Sequence, residues 1–151
     1  MKNPLPLIVA SLCLLLACAS IQAQTAPEVL SLKAEAMTQI PLDPIAPYPP
    51  ESVLKGDQKN WMKTLHQGEI VVALYESTAA VIDAKSPYPY DEFIVVLEGE
   101  ITLSHIDGNI QTFKAGENFF IPKGWQGTFE MSDNFREIII VETKAWNNTE
   151  G

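Results

Sequence analysis

The chain has 151 residues, of which 10 are Lys or Arg and 19 are Asp or Glu, for a formal net charge of −9. This length allows one domain at most. The acidic balance argues against nucleic acid and anionic lipid headgroups as partners, and against long-range attraction of highly anionic substrates.

Residues 1–23 have the features of a secretory signal peptide. One lysine precedes an uncharged apolar run from Leu5 to Ala19, and small residues follow that run. The run is too short to span a bilayer comfortably as a retained anchor, and Ala23 suits cleavage by ordinary signal peptidase. We therefore expect secretion across the inner membrane to the periplasm, with a mature chain that begins at Gln24.

Both cysteines of the chain, Cys13 and Cys18, lie inside this segment. The sequence LLAC, which ends at Cys18, resembles a bacterial lipobox, so a lipoprotein is the alternative. The protein would then contact a membrane through a lipid on Cys18. The mature domain has no cysteine left for a disulfide, although its compartment would permit one. Loss of Lys2 with the signal leaves 9 basic and 19 acidic residues, a formal charge of −10.

Residues 24–50 form a proline-rich lead-in segment. Six prolines fall within it, and its last part reads IPLDPIAPYPP. Such a run can neither continue a helix nor occupy a central strand. Only EVLSLKAEAM carries a weak helical pattern. Two interpretations stay open: an extended spacer, or an arm that packs on the following domain or on a second subunit.

Residues 51–146 predict one all-β domain, since β-rich runs alternate with turn signals from Gly68 onward. A bend at Gly99 separates two of the runs, and DGN at 107–109 is a hairpin signal. Residues 147–151 are a C-terminal tail. The predicted strands read EIVVALYES, FIVVLEGEITLSHI (two strands), IQTF, AGENFFIPKGW (broken at PKG), GTFEM and a long final FREIIIVETKAW.

Glycine, proline and glutamate spacings within this domain match a known pattern. Glu92 precedes Gly99 by seven positions, and Gly116 is followed by Pro122 and Gly124. On these residues, and on KGDQKNW, YPYDEF and GWQGTFE, the chain resembles the cupin superfamily. The small single-domain group related to the (S)-ureidoglycine aminohydrolase cupin domain is the most similar branch. The resemblance implies one double-stranded β-helix, or jelly-roll, barrel with an N-terminal extended arm.

Cupins of this type normally hold a metal with two histidines and a glutamate, but most of those ligands are missing here. Residues 85–88 read KSPY where the first histidines belong, and Gly127 stands at the later histidine position. Only Glu92 remains. Because a transition-metal site needs three or four converging ligands, we expect neither metal nor cofactor. The alternative is a site rebuilt with His66 or His105, which lie outside the signatures.

The alternation of strand side chains predicts what lines the pocket instead. If Glu92 points inward, as the resemblance implies, two tyrosines share its face, and two further aromatic residues share the face of Gly127. The predicted ligand-binding residues are Tyr88, Tyr90, Glu92, Trp125 and Phe129. This aromatic pocket suits a small organic ligand. A cationic or amine-bearing ligand is included, because ring faces and a carboxylate both favour positive charge.

Glu92 is also the candidate catalytic residue, with Tyr90 as its tentative partner and Tyr88 as the other tyrosine within reach. Burial among rings raises the pKa of a carboxyl, so that it can act as general acid or base near neutral pH. In the competing interpretation the rings are simply core. Glu92 is then a structural residue, held by Arg136 or by tyrosine hydroxyls.

The leading functional hypothesis is a secreted cupin that binds a small organic molecule in a metal-free aromatic pocket. The first alternative is an enzyme: either a hydrolase that resembles the ureidoglycine aminohydrolase branch, or a metal-free isomerase or lyase. The second is a non-catalytic periplasmic partner protein. A homodimer is compatible with each hypothesis, because a barrel edge left unpaired would be a liability.

Overall fold

The computed structural model describes residues 28–84 and 86–148. The predicted signal peptide, the lipidation of Cys18, Lys85 and the last three residues lie outside the described residues. Residues 28–30 have no regular secondary structure and belong to a separate unit, and the fold below is that of the unit from Ser31 onward. No helix among the described residues is long and apolar enough to cross a membrane.

The described residues form eleven strands, two short α-helices and one turn of 3₁₀-helix at Pro50–Ser52. The helices are α1 (Ala34–Met37) and α2 (Thr143–Asn147). The strands are β1 (Asp43–Ile45), β2 (Val53–Gly56), β3 (Asn60–Gln67), β4 (Ile70–Ser77), β5 (Ala80–Ala84), β6 (Glu92–Glu98), β7 (Glu100–His105), β8 (Ile110–Lys114), β9 (Asn118–Ile121), β10 (Gly127–Met131) and β11 (Phe135–Glu142).

The strands pair in two antiparallel sheets that pack face to face. The first sheet has the order β1-β3-β4-β11-β6-β9, and the second has the order β2-β5-β10-β7-β8. Phe135, Ile82 and Ile94 lie between the sheets and are almost completely buried. The all-β jelly-roll prediction is confirmed. The predicted bend between β6 and β7 is made by Gly99, whose φ of +71° is in the left-handed region that favours glycine.

The outer face of the first sheet is covered by the lead-in segment. Met37 packs with Leu74 and Ile138 in a second hydrophobic cluster on that face. The Arg136 guanidinium donates hydrogen bonds to the backbone carbonyls of Met37 (2.9 Å) and Ile40 (2.5 Å), and to the carboxylate of Glu76 (2.9 Å). Residues 31–45 therefore pack on the barrel, and residues 31–49 are called the arm below.

The arm continues as β1, which pairs with β3 at the edge of the first sheet, with Asp43 opposite Met62. Pro44 lies in this edge strand, where a missing backbone N–H is tolerated.

Two details differ from the sequence prediction. The final strand ends at Glu142 rather than at Trp146, because TKAW begins α2 and buries the indole. The strands β2 and β3 precede Gly68, in a polar stretch whose periodicity is weak.

Candidate functional site

A cavity of about 320 Å³ opens where the arm crosses the inner face of the first sheet. Arm residues 45–49 form one side of it, and α2 contributes Trp146. The wall is built from strand side chains and from the loop before β6. The polar and aromatic lining consists of Tyr48, Asn60, Tyr75, Tyr88, Tyr90, Glu92 and Glu137.

Two buried carboxyl groups line this cavity from neighbouring strands. Glu92 begins β6 on the same face as Ile94, and Glu137 lies in β11 on the same face as Ile139. Their side chains are only 5% and 8% exposed. Carboxyl groups are rarely this buried without a partner. The sequence prediction contained the first of these carboxyls and missed the second.

Glu92 accepts a hydrogen bond from the hydroxyl of Tyr88 through its Oε2. The Tyr88 ring packs edge-on against Tyr90, with ring centroids 5.3 Å apart. Burial raises the pKa of Glu92 to about 7, and the Tyr88 hydrogen bond offsets part of this effect. The Glu92 carboxyl is thus surrounded by phenol rings and titrates close to neutral pH. Of the two tyrosines predicted as partners, Tyr88 contacts it.

Glu137 is the less satisfied of the two carboxyls. Its Oε2 is fully buried and has no hydrogen-bond partner among the described residues. Burial, and then the nearby charge of Glu92, hold the pKa of Glu137 well above its usual range. Burial thus favours the neutral form of the Glu137 carboxyl, whose Oε2 is a buried polar atom that no described protein group satisfies.

A polar network joins the arm to the cavity wall. The Tyr75 hydroxyl donates to Asn60 Oδ1 (2.7 Å), and Gln58 Nε2 donates to the same oxygen. The backbone N–H of Tyr48 donates to Gln58 Oε1 (3.0 Å), and Asn60 Nδ2 donates to the carbonyl of Ala46 (3.4 Å). These contacts fix residues 46–48 over the opening.

The other two predicted ligand-binding residues lie further from Glu92. Phe129 contacts Tyr88 (centroids 5.8 Å apart) and lines a space of about 40 Å³ beneath the two carboxyls. Trp125 stacks on Phe129 at 5.0 Å, on the side away from the cavity, and lines a separate groove with His105. The structure therefore brings Tyr88, Tyr90 and Glu92 into one cavity, with Phe129 beneath them, and leaves Trp125 behind Phe129.

Gly127 stands where the resemblance places a metal-binding histidine. A Cβ atom at this position would lie 2.2 Å from the backbone oxygen of Ser104 and 2.6 Å from Cη2 of Trp125. Both distances are far inside van der Waals contact. The space of the missing imidazole is thus occupied by the β7 backbone and by the Trp125 ring.

The remaining donors do not fit a cupin metal centre. No three His, Cys, Asp or Glu side chains in residues 28–84 and 86–148 converge on a point. His66 lies in β3 and His105 lies beside Asp107, with Nδ1 and Oδ1 2.7 Å apart, and neither lines the cavity of Glu92. Arg136 does not contact Glu92 either, because its guanidinium binds the arm on the opposite face of the sheet.

The architecture has counterparts among solved structures. A protein with unknown function from Pseudomonas syringae pv. tomato superposes with a TM-score of 0.63 and 19% identity, over 68% of this chain and 45% of its own. The polyketide cyclase RemF from Streptomyces resistomycificus superposes with a TM-score of 0.51 and 19% identity, over 68% of this chain and 74% of its own. A cupin-like protein from Thermotoga maritima superposes with a TM-score of 0.51 and 15% identity, over 67% of this chain and 79% of its own. Likeness at these identities establishes the fold.

Residues 65–138 match the model of the EutQ-like cupin domain family, and on this match the protein contains a cupin domain. The solved counterparts agree with the match in fold alone. No protein with curated function matches the sequence, and the chain spans less than half the length of the Pseudomonas protein. The cupin prediction is confirmed, whereas the closer resemblance to ureidoglycine aminohydrolase stays a prediction.

Proposed function

We propose that this protein binds a small organic molecule in the cavity around Glu92, without a metal. The observation that carries the proposal is the cavity itself, which combines phenol rings with two buried carboxyls and an unsatisfied oxygen on Glu137. Small-molecule sites in proteins have this composition: mostly apolar or aromatic walls with a few polar groups that orient the ligand. Its volume is at the lower end of their range.

The location belongs to the same proposal. The N-terminal segment favours export to the periplasm, with lipidation of Cys18 as the alternative, and the edge strands β8 and β9 leave room for a homodimer. A periplasmic binding protein without cysteines in its mature domain needs no disulfide formation. Its stability then depends on the two hydrophobic clusters described above.

Loss of the Tyr90 ring tests the binding proposal. Ligand-observed NMR of a set of small organic compounds, with the purified protein treated with a chelator, should detect binders. Tyr90→Ala should weaken them about fivefold, since a stacked ring contributes on the order of 1 kcal/mol. Phe120→Ala removes an exposed ring outside the cavity and serves as the matched control. Binding that the chelator abolishes, or that Tyr90→Ala leaves unchanged, would contradict the proposal.

A catalytic role at the same site is the second candidate. A carboxyl that titrates at about pH 7 beside a phenol suits a metal-free isomerase or lyase, in which Glu92 moves a proton. Tyr88, rather than Tyr90, is within hydrogen-bond distance to share that proton. The hydrolase alternative gains no support from the cavity, because none of its described lining residues is an activated nucleophile.

A further inference from the structure

We propose that Glu92 and Glu137 together bind the ammonium group of a small amine; this inference rests on the proposed function and specifies its ligand class. The two carboxyls lie on adjacent antiparallel strands and open into one cavity. Both are more than nine-tenths buried, and Oε2 of Glu137 has no hydrogen-bond donor in the part of the chain that the structure describes. An ammonium group offers three N–H donors, which a carboxyl pair of this kind can accept.

The charges around the cavity favour a cation. None of the described residues that line it is Lys, Arg or His, so none of these residues supplies a cation to balance the carboxyls. Burial of two like charges is unfavourable, and in the free protein protonation of the carboxyls lowers this free-energy cost. A ligand cation can replace one of these protons. It would also lie against the phenol rings of Tyr48 and Tyr90, whose faces attract positive charge.

The charge of the whole protein acts in the same direction. The chain without its predicted signal has a formal charge of −10. A surface of that sign attracts small cations and repels anions over a distance of about one Debye length. The cavity and the surface therefore select for the same class of ligand.

Ammonium binding should depend on pH through Glu92. The groups that face Glu92 are Tyr88 and Tyr90 in the preceding loop, Tyr48 in the arm, Tyr75 in β4 and Glu137 in β11. The pKa of each phenol lies above its usual value of 10, so the phenols stay neutral in the range of interest. The pKa of Glu137 also lies well above its usual range, whereas that of Glu92 is about 7, so we expect the pH dependence near neutrality to follow Glu92. Below pH 7 a bound ammonium must displace the Glu92 proton into solvent.

The test uses benzylammonium as the probe and benzyl alcohol as its neutral counterpart, measured by isothermal titration calorimetry on the full processed protein. At pH 8 we expect benzylammonium to bind at least tenfold more tightly than benzyl alcohol. Its affinity should fall about tenfold for each pH unit below 7, with release of about one proton per ligand at pH 6. Glu92→Gln should weaken it at least about tenfold at pH 8, because a charge-assisted hydrogen bond is lost. Glu137→Gln should weaken it by less, about severalfold, because one of its two oxygens is replaced by an N–H donor.

Glu98→Gln, on the exposed end of β6, and Glu142→Gln, on the exposed end of β11, are matched controls for charge and strand. Both should bind benzylammonium as the unmodified protein does. If benzyl alcohol binds as tightly as benzylammonium or more tightly, and Tyr90→Ala weakens that binding, the amine inference is wrong and the proposed function still holds. Absence of benzylammonium binding at about 10 mM would overturn the inference. Loss of Tyr90-dependent binding for every compound class would overturn both.

Discussion

Glu92→Gln should make the protein more stable to urea at pH 8 and leave its stability at pH 5 nearly unchanged. The Glu92 carboxyl has an ordinary pKa of 4.5 and a pKa of about 7 in the folded protein, raised by burial. Between these two values the folded state binds more protons than the unfolded state. Stability therefore falls as the pH rises from about 4.5 to about 7 and is constant above it.

The rise of the Glu92 pKa from 4.5 to about 7 means that the unmodified protein loses about 3 kcal/mol of stability by pH 8. The Glu92→Gln variant does not ionise at this position and keeps that stability. A glutamine at position 92 can still accept the Tyr88 hydrogen bond through its carbonyl oxygen, so the packing is kept. Urea unfolding at pH 5 and pH 8 measures the effect, with Glu98→Gln as the control that should follow the unmodified protein at both. Equal loss of stability at both values would mean that Glu92 holds the fold as a carboxylate.

This result matters for function because it separates two explanations of a buried glutamate. If the glutamate serves stability, its neutralisation lowers the free energy of unfolding of the protein. If it serves a ligand, neutralisation raises the free energy of unfolding and weakens ligand binding. Glu137→Gln should change stability in the same direction, since burial and Glu92 raise its pKa as well. If both substitutions stabilise the protein and abolish binding, the two carboxyls lower the stability of the fold in favour of the proposed site.

Gly127→Ala should destabilise the protein by about 3 kcal/mol, at the upper end of the usual range for overpacking a core. The added methyl would meet the backbone oxygen of Ser104 at 2.2 Å and the Trp125 ring at 2.6 Å. Strand β10 is paired on both sides, with Gly127 opposite Ala84 in β5 and His105 in β7, so it cannot move away. Thermal or urea unfolding at one pH measures the cost.

Gly124→Ala is the matched control, because it lies in the turn just before β10 with nothing within 4 Å of its Cβ position. It should be destabilised only by its φ of +89°, which disfavours an L residue by about 1–2 kcal/mol. Equal effects of the two substitutions would show that the crowding at Gly127 is absent. If the crowding is present, restoring histidine at this position cannot rebuild a metal site without moving the β7 backbone.

The strand pattern predicted the part of the candidate site around Glu92, because the residues of that part are close together in the sequence. Glu92 and Tyr88 are four residues apart, and Tyr90 lies between them, so one family position and the alternation of side chains place all three. Trp125 was placed with them because it precedes Gly127 by two residues. It lies instead in the turn before β10, where that alternation does not apply, and its ring turns towards the position of Gly127.

Glu137 could not be located in the same way. In FREIIIVE both faces of the strand are apolar, since one face packs in the core and the other under the arm. The sequence therefore gives no sign of which face is inward. Tyr48 and Asn60 were missed for a related reason: they reach the cavity only through the path of the proline-rich arm, which is determined by contacts such as those of Arg136, distant in sequence.

The most direct test of the carboxyl site is a ¹³C NMR titration of the glutamate side-chain carboxyls, with and without saturating benzylammonium. We expect one signal, absent in Glu92→Gln, to titrate at a pKa of about 7 in the free protein and at least one unit lower with the ligand. If every glutamate carboxyl titrates below about pH 5 in the free protein, the cavity does not desolvate its carboxyls and the account is wrong.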